Sequence, residues 1–205
     1  MTFLNEDILV IDNFYSDPMK IRKLALNTDY NFFENKANFP GGESIKAFYT
    51  EKHIKKFEGL VNRRIHVDPK KYVFGKFRFC TANDNSQTKV HFDKVSWAAI
   101  VYLSLNEDCK GGLGIYKHEE LDLSTVPSSD ELEHLGCKDV FEFDQRYVLP
   151  ITKEKGSWSL LREIPLKFNR LILIRGEKYF HGITEQFGSN IINSRLSQVF
   201  FFNND

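Results

Sequence analysis

The chain has 205 residues, 41% hydrophobic and 27% charged, which excludes a disordered polypeptide and leaves room for one domain. Its 28 Lys/Arg balance its 28 Asp/Glu, a net charge of zero that disfavours a dedicated nucleic-acid binder. No apolar run approaches about 18 residues, so no transmembrane helix is available, and Glu6 and Asp7 ahead of the short run Ile8–Ile11 reverse the order of a secretory signal; a cytoplasmic protein without membrane partners is expected.

In chain order, Ile8 to Ile11 is the first strand. A helix follows near 17–27, with Asp17 as N-cap, Pro18 at the first helical position, and Ile21, Leu24 and Ala25 as its buried stripe. Asn38 to Gly42 reads as a loop. A second helix near 51–64 starts after Thr50 and buries Ile54, Phe57 and Val61. From Tyr72 the period becomes that of strands: Tyr72 to Thr81 alternates, while Trp97 to Leu105, Leu171 to Ile174 and Leu196 to Phe202 are buried runs. Clusters of Gly, Asn and Asp separate them. Helices first and many short strands after predict an α+β protein, mainly β, with a sandwich or barrel core. The 19 Phe point to a thick aromatic core, and the scattered Cys80, Cys109 and Cys137 form neither a disulfide framework nor a zinc knuckle.

Charge is uneven. Residues 46–78 carry ten Lys/Arg against three Asp/Glu, and residues 106–144 carry three against eleven. Two solvated faces are the preferred reading, with a basic groove for an anionic substrate as the sharper one.

Two histidines and a carboxylate on one face of Fe(II) leave its other face open. Two of these ligands are often a His-x-Asp pair on one strand, where side chains two apart share a face. Three triplets qualify: His66-Val67-Asp68, His91-Phe92-Asp93 and His118-Glu119-Glu120. His91 and Asp93 are preferred because they lie between two strong strands. His181, after the buried strand 171–174, is the candidate distal ligand; taken alone, it reads rather as a core or turn histidine hydrogen-bonded to backbone. In the last strand Arg195 and Ser197 share one face of an otherwise apolar segment. A guanidinium there needs an anionic partner, either a ligand carboxylate or an internal acid.

In order along residues 72–202, these pieces resemble the 2-oxoglutarate/Fe(II)-dependent oxygenases. They look closest to the prolyl-4-hydroxylase-like branch. Val90-His91-Phe92-Asp93 resembles the metal-binding His-x-Asp. Ile100 to Asn106 resembles the "YLN" strand, and Gly111 to Tyr116 the "GG-x-L-x-F/Y" hairpin. Asn169 to Ile174, continued by Phe180-His181-Gly182-Ile183, is similar to the strand leading to the distal "H-x-V", and Arg195-Leu196-Ser197 to the "R-x-S" pair. The Arg-x-Ser pair fits the superfamily better than the prolyl hydroxylases, and residues 117–165 exceed the usual hairpin. The N-terminal segment, with Asp12 to Pro18 and Phe39-Pro40-Gly41, is similar to uncharacterised bacterial and phage members.

The resemblance implies a double-stranded β-helix, or jelly roll, over 72–202, buttressed by helices within residues 1–71. The length fits a single domain, 1–205, in which the segment at about 117–165, longer than the family's hairpin, is an insertion that reads as a lid. The resemblance further implies that His91, Asp93 and His181 bind Fe(II), that 2-oxoglutarate is the cosubstrate, and that its distal carboxylate meets Arg195, Ser197 and the Tyr102 hydroxyl. Reaction with O2 would give succinate, CO2 and a hydroxylated small molecule or protein residue. A cupin-like metal enzyme without 2-oxoglutarate, or a non-catalytic jelly-roll module, is the alternative. Arg78 and Cys80 share one face of their strand, and Phe77, Phe79 and Thr81 the other. Which set faces the cavity stays open, as do the substrate and the oligomeric state.

Overall fold

A computed structural model describes residues 2–33 and 37–205. The N-terminal segment forms β1 (Thr2–Asn5), β2 (Ile8–Ile11), α1 (Pro18–Leu26), β3 (Tyr30–Phe32), β4 (Gly42–Ser44), α2 (Glu51–Val61) and β5 (Ile65–His66). Then follow β6 (Phe74–Cys80), β7 (Trp97–Tyr102), β8 (Gly112–His118), α3 (Ser129–His134), α4 (Val140–Phe143), β9 (Trp158–Pro165), β10 (Leu171–Ile174), β11 (Phe180–Ile183) and β12 (Arg195–Asn204). The fold is α+β and mainly β. No helix among the described residues is long and apolar enough to cross a membrane.

The strands form two antiparallel sheets. The larger has the order β1-β2-β10-β7-β12-β6-β4-β3, with β5 paired to β12. The smaller has the order β11-β8-β9, and a backbone bridge between His91 and His181 adds the His91 segment beside β11. From β6 onward the chain visits large, small, large, small, small, large, small and large sheets in turn. That winding is a double-stranded β-helix, so the jelly-roll core follows from the strand order itself.

Period-two alternation divides the large sheet's residues between its faces. On the outer face, Phe74, Phe200 and Phe202 pack around Phe57 of α2. Phe77, Phe79 and Leu196 pack with Ala25 of α1 on the same side. On the inner face, Ala98, Tyr102, Ile172 and Ile174 pack with Leu113 and Ile115 of the small sheet. The N-terminal helices thus cover the sheet's back.

Asp17 caps α1 as the sequence suggests, accepting from the Lys20 amide at 3.1 Å. The expected stripe is shifted, however. Leu24 is 40% exposed, and Arg22 is buried in its place. Arg22 donates to the Leu103 and Ile192 carbonyls, each at 2.6 Å, and thereby ties α1 to the sheet. The N-terminal segment also contributes strands at both edges of the large sheet, one of which starts at Gly42 within the expected loop.

Residues 117–165 are not one insertion: their ends belong to β8 and β9, paired from Gly112↔Pro165 to His118↔Trp158. The excursion between those strands holds α3, α4, a π-helical turn (Asp144–Val148) and a 3-10 turn (Leu149–Ile151). Leu132, Phe143 and Val148 from it pack against Val90, Phe92 and Phe180. Each of those three flanks a candidate metal ligand and alternates with it. The excursion therefore braces the back of the ligand strands. Thr152 pins the same strand, its hydroxyl donating to Val90 O at 2.5 Å and accepting from Lys89 N at 3.0 Å.

Candidate metal and anion site

His91 and His181 are direct antiparallel partners. His91 N donates to His181 O at 3.0 Å, and His181 N donates to His91 O at 2.7 Å. Opposed residues on paired strands project to the same side, and here the ring centroids are 4.6 Å apart. Asp93, two residues on, shares that face. Its amide donates to Gly176 O at 2.9 Å, and a Cβ at Gly176 would run into its carboxylate. The three side chains each offer a ligand atom, all within 4.8 Å of one another. His181 Nε2 lies 3.3 Å from Asp93 Oδ2, and His91 Nε2 lies 4.0 Å from Asp93 Oδ1.

Adjacent ligand atoms on an octahedral metal stand about 3 Å apart, given metal–ligand bonds of about 2.0–2.2 Å, so small side-chain movements close the set on one ion. The polar atoms agree with that use. His181 Nδ1 lies 2.8 Å from the Tyr179 carbonyl, so it holds the ring proton and leaves Nε2 as the electron-pair donor. Asp93 Oδ2 is buried and makes no aligned hydrogen bond despite the nearby His181 nitrogen. A protonated His181 is one cation that can serve this oxygen, and a metal ion shared by His181 Nε2 and Asp93 is another.

Electrostatics separate the two histidines. Burial and the neighbouring His181 push the pKa of His91 down, to about 4. Burial pulls on His181 too, but Asp93 and the Tyr179 carbonyl outweigh it and the pKa rises. Burial opposes ionisation of Asp93, yet His181, His91 and Arg78 hold its pKa below the ordinary carboxylate value. The other two triplets do not gather. His66 pairs with Asp205 at the β5 edge. His118 is buried with Nε2 3.0 Å from Tyr147 O and stacks edge-on to Trp158. Trp97 is core, its Nε1 donating to Asn204, and Trp158 is half-buried against the Phe180 cluster, its Nε1 donating to Ile151 O; neither lines the cavity.

The triad opens into a cavity of about 720 Å³ between the two sheets. Arg195, Ser197, Arg78 and Cys80 line it, so the Arg78 face of β6 looks inward, although Phe79 from the other face is also among the lining residues. Phe77 packs behind the sheet. Arg195 is 7% exposed, and no Asp or Glu pairs with it among the described residues. Its Nη2 donates to the Tyr102 hydroxyl at 3.1 Å, and its Nε is buried with no partner. Ser197 lies opposite Tyr102 across the strands, and its hydroxyl makes only a 3.5 Å contact with Arg78 O. Burial raises the Tyr102 pKa, so the phenol stays protonated. A buried cation without an acid, beside two hydroxyls, is an arrangement that a carboxylate ligand completes.

Glu43, the partner of the cavity-lining Arg78, escaped the sequence reading. Glu43 is buried and accepts from Arg78 Nε at 2.9 Å and from Lys76 Nζ at 3.0 Å. Nothing in Gly41-Gly42-Glu43-Ser44 announces that role, because it depends on β4 pairing with β6.

A family model described as "Family of unknown function (DUF6445)" matches residues 3–202. Among solved structures, an N-substituted L-amino acid dioxygenase from Burkholderia ambifaria AMMD superposes with a TM-score of 0.41 and 11% identity, covering 96% of this chain and 82% of its own. No curated protein matches the sequence.

Proposed function

The chain belongs to the family of unknown function DUF6445, and we propose that it is an Fe(II)- and 2-oxoglutarate-dependent oxygenase acting on a small molecule or an amino-acid residue in a protein. The observation that carries this reading is Arg195, a buried guanidinium without an acidic partner among the described residues, which lines the same cavity as His91, Asp93 and His181. A metal jelly roll that does not use 2-oxoglutarate has no need of such a cation.

In this reading His91, Asp93 and His181 hold Fe(II), and the metal, 2-oxoglutarate and O2 together supply the oxidising power, releasing succinate and CO2 and placing one oxygen atom on the substrate. The chain's own residues do the rest. Arg195 grips the distal carboxylate of the cosubstrate with a planar fork, and Ser197 and Tyr102 donate to the same group. Tyr102 already accepts from Arg195, so its own proton is free for the carboxylate. Ile100, Leu113 and Ala98 line the cavity and keep water from the cosubstrate's carbon chain. The Tyr179 carbonyl fixes the tautomer and rotation of His181.

Calorimetric titration of 2-oxoglutarate into the protein, with and without Mn(II), tests the reading. One equivalent should bind the Mn(II)-loaded protein, and binding should weaken at least about tenfold without metal, since two of the cosubstrate's oxygens then lose their partner. Absent binding, or binding indifferent to the metal, refutes the oxygenase assignment in favour of a cupin-like enzyme or a non-catalytic module.

A further inference from the structure

Arg195, Ser197 and Tyr102 account for one anion. A second guanidinium, Arg78, faces the same cavity from β6, cross-strand from Ser197 on one side and Glu43 on the other. Glu43 does not fully neutralise it. Oε2 of Glu43 takes the Nε and Nη2 edge of Arg78, at 2.9 and 2.8 Å, while Oε1 takes Lys76 at 3.0 Å. One carboxylate thus serves two cations, and the trio keeps a charge of +1. The opposite edge of the guanidinium, Nη1 and the second Nη2 proton, has no protein acceptor among the described residues. That edge has the spacing for a second carboxylate gripped by two parallel bonds.

The fork is also held still. Its central carbon lies 3.8 Å from the centre of the Phe39 ring and 5.3 Å from that of Phe201. Both rings line the cavity. A side chain clamped by a buried acid on one edge and by aromatic rings beside it loses little entropy when it binds. The surroundings reinforce the sign of charge. Lys71 and Lys89 also line the opening; of the lining acids, Asp93 belongs to the candidate metal site, Asp144 is paired with Lys94 at 2.9 Å, and Glu185 remains, so the cations outnumber the acids.

We propose that Arg78 is the substrate-recognition residue, and that the substrate is an amphipathic monoanion: a carboxylate held by the free edge of Arg78, on an apolar body lying against Phe39 and Phe201. The single uncompensated charge matches a carboxylate, and the aromatic walls match an apolar body. The inference deepens the oxygenase reading, since it names the class of molecule that reading leaves open.

The probes are N-acetyl-L-phenylalanine and its neutral amide, titrated by calorimetry into the Mn(II)-loaded protein with and without 2-oxoglutarate. The carboxylate should bind at least about tenfold more tightly than the amide, as expected when a charge-assisted pair becomes a neutral one. Arg78→Gln should abolish that preference while changing 2-oxoglutarate affinity less than about threefold; Arg78→Lys, which keeps the charge without the fork, should fall between. Retained Mn(II) binding shows that each variant is folded. The proposal is overturned if wild type binds both probes equally, or fails to bind the carboxylate. It is equally overturned if Arg78→Gln weakens 2-oxoglutarate as much as the probe, which assigns Arg78 to the cosubstrate. If 2-oxoglutarate does not bind wild type but the carboxylate preference persists, the oxygenase reading fails and this anion site stands.

Discussion

Replacing Arg195 with alanine separates a ligand-binding arginine from a structural one, because the first role costs affinity and little stability and the second costs stability and little affinity. Breaking a buried ion pair by removing one member destabilises a protein by about 3–5 kcal/mol. Among the described residues Arg195 has no such pair; its side chain donates to Tyr102, and its Nε is unmatched. Alanine therefore loses a bond with a net worth of about 1 kcal/mol and also removes an uncompensated buried charge, so the two effects oppose each other. An unfolding entropy of about 2.1 cal/mol/K per residue gives about 0.43 kcal/mol/K for this chain. The ligand-free variant should then melt within about 3 °C of wild type, whereas loss of a structural pair would lower the midpoint by about 7–12 °C. Cosubstrate binding should move the other way. Truncating one side of a buried charge-to-carboxylate contact costs about 2–5 kcal/mol, a loss of about 30-fold to 5,000-fold in affinity. The assays are scanning calorimetry of the ligand-free proteins and titration of 2-oxoglutarate into their Mn(II)-loaded forms. A large drop in melting temperature together with unchanged 2-oxoglutarate affinity would refute the reasoning.

Two further outcomes follow from the same geometry. Phe180 is fully buried and its ring meets those of Phe92, Phe143 and Trp158, so Phe180→Ala should destabilise the protein by about 3–5 kcal/mol in thermal or urea unfolding; a change under about 1 kcal/mol would show that the 119–157 excursion does not brace the ligand strands. Metal binding must displace the His181 proton, whose pKa is raised in the metal-free protein, so Mn(II) affinity should climb between about pH 6 and pH 8, by up to about tenfold per unit. The His181–Asp93 attraction has the opposite trend: it stabilises the metal-free fold fully below the unfolded histidine pKa and fades as pH rises through the raised value. Mn(II) titrations at the two pH values, with melting curves of the metal-free protein, check both signs; a pH-independent affinity contradicts the assignment of His181 as a ligand.

The sequence alone determined which side chains travel together. A strand has a period of two, so His91 and Asp93 had to share a face, as did Arg195 and Ser197, and likewise Arg78 and Cys80. The starts of α1 and α2, most of their apolar spacing, and the buried runs of β7, β10 and β12 were legible for the same local reason. Leu24 shows the limit of that reasoning. Helical spacing marks it as buried, but Arg22 takes the sheet-facing place because two backbone carbonyls lie within its reach.

Tertiary structure decided everything that depends on which face is inward and which distant strands meet. Both faces of the large sheet are covered, by helices outside and by the cavity inside, so burial could not tell the Phe77 face of β6 from the Arg78 face. The pairing of His91 with His181 spans 90 residues and exists only as two backbone hydrogen bonds between strands that local pattern cannot join. The 117–165 segment reads as a single lid; its ends are paired core strands, and its middle braces the ligand strands while also sending Asp144 and Leu149 to the cavity lining. That division was decided by where Leu132, Phe143 and Val148 find apolar surface. Glu43, which leaves one edge of Arg78 free, is likewise an effect of strand order: β4 adds to the sheet beside β6, and a carboxylate from an unremarkable turn becomes the partner of two cations.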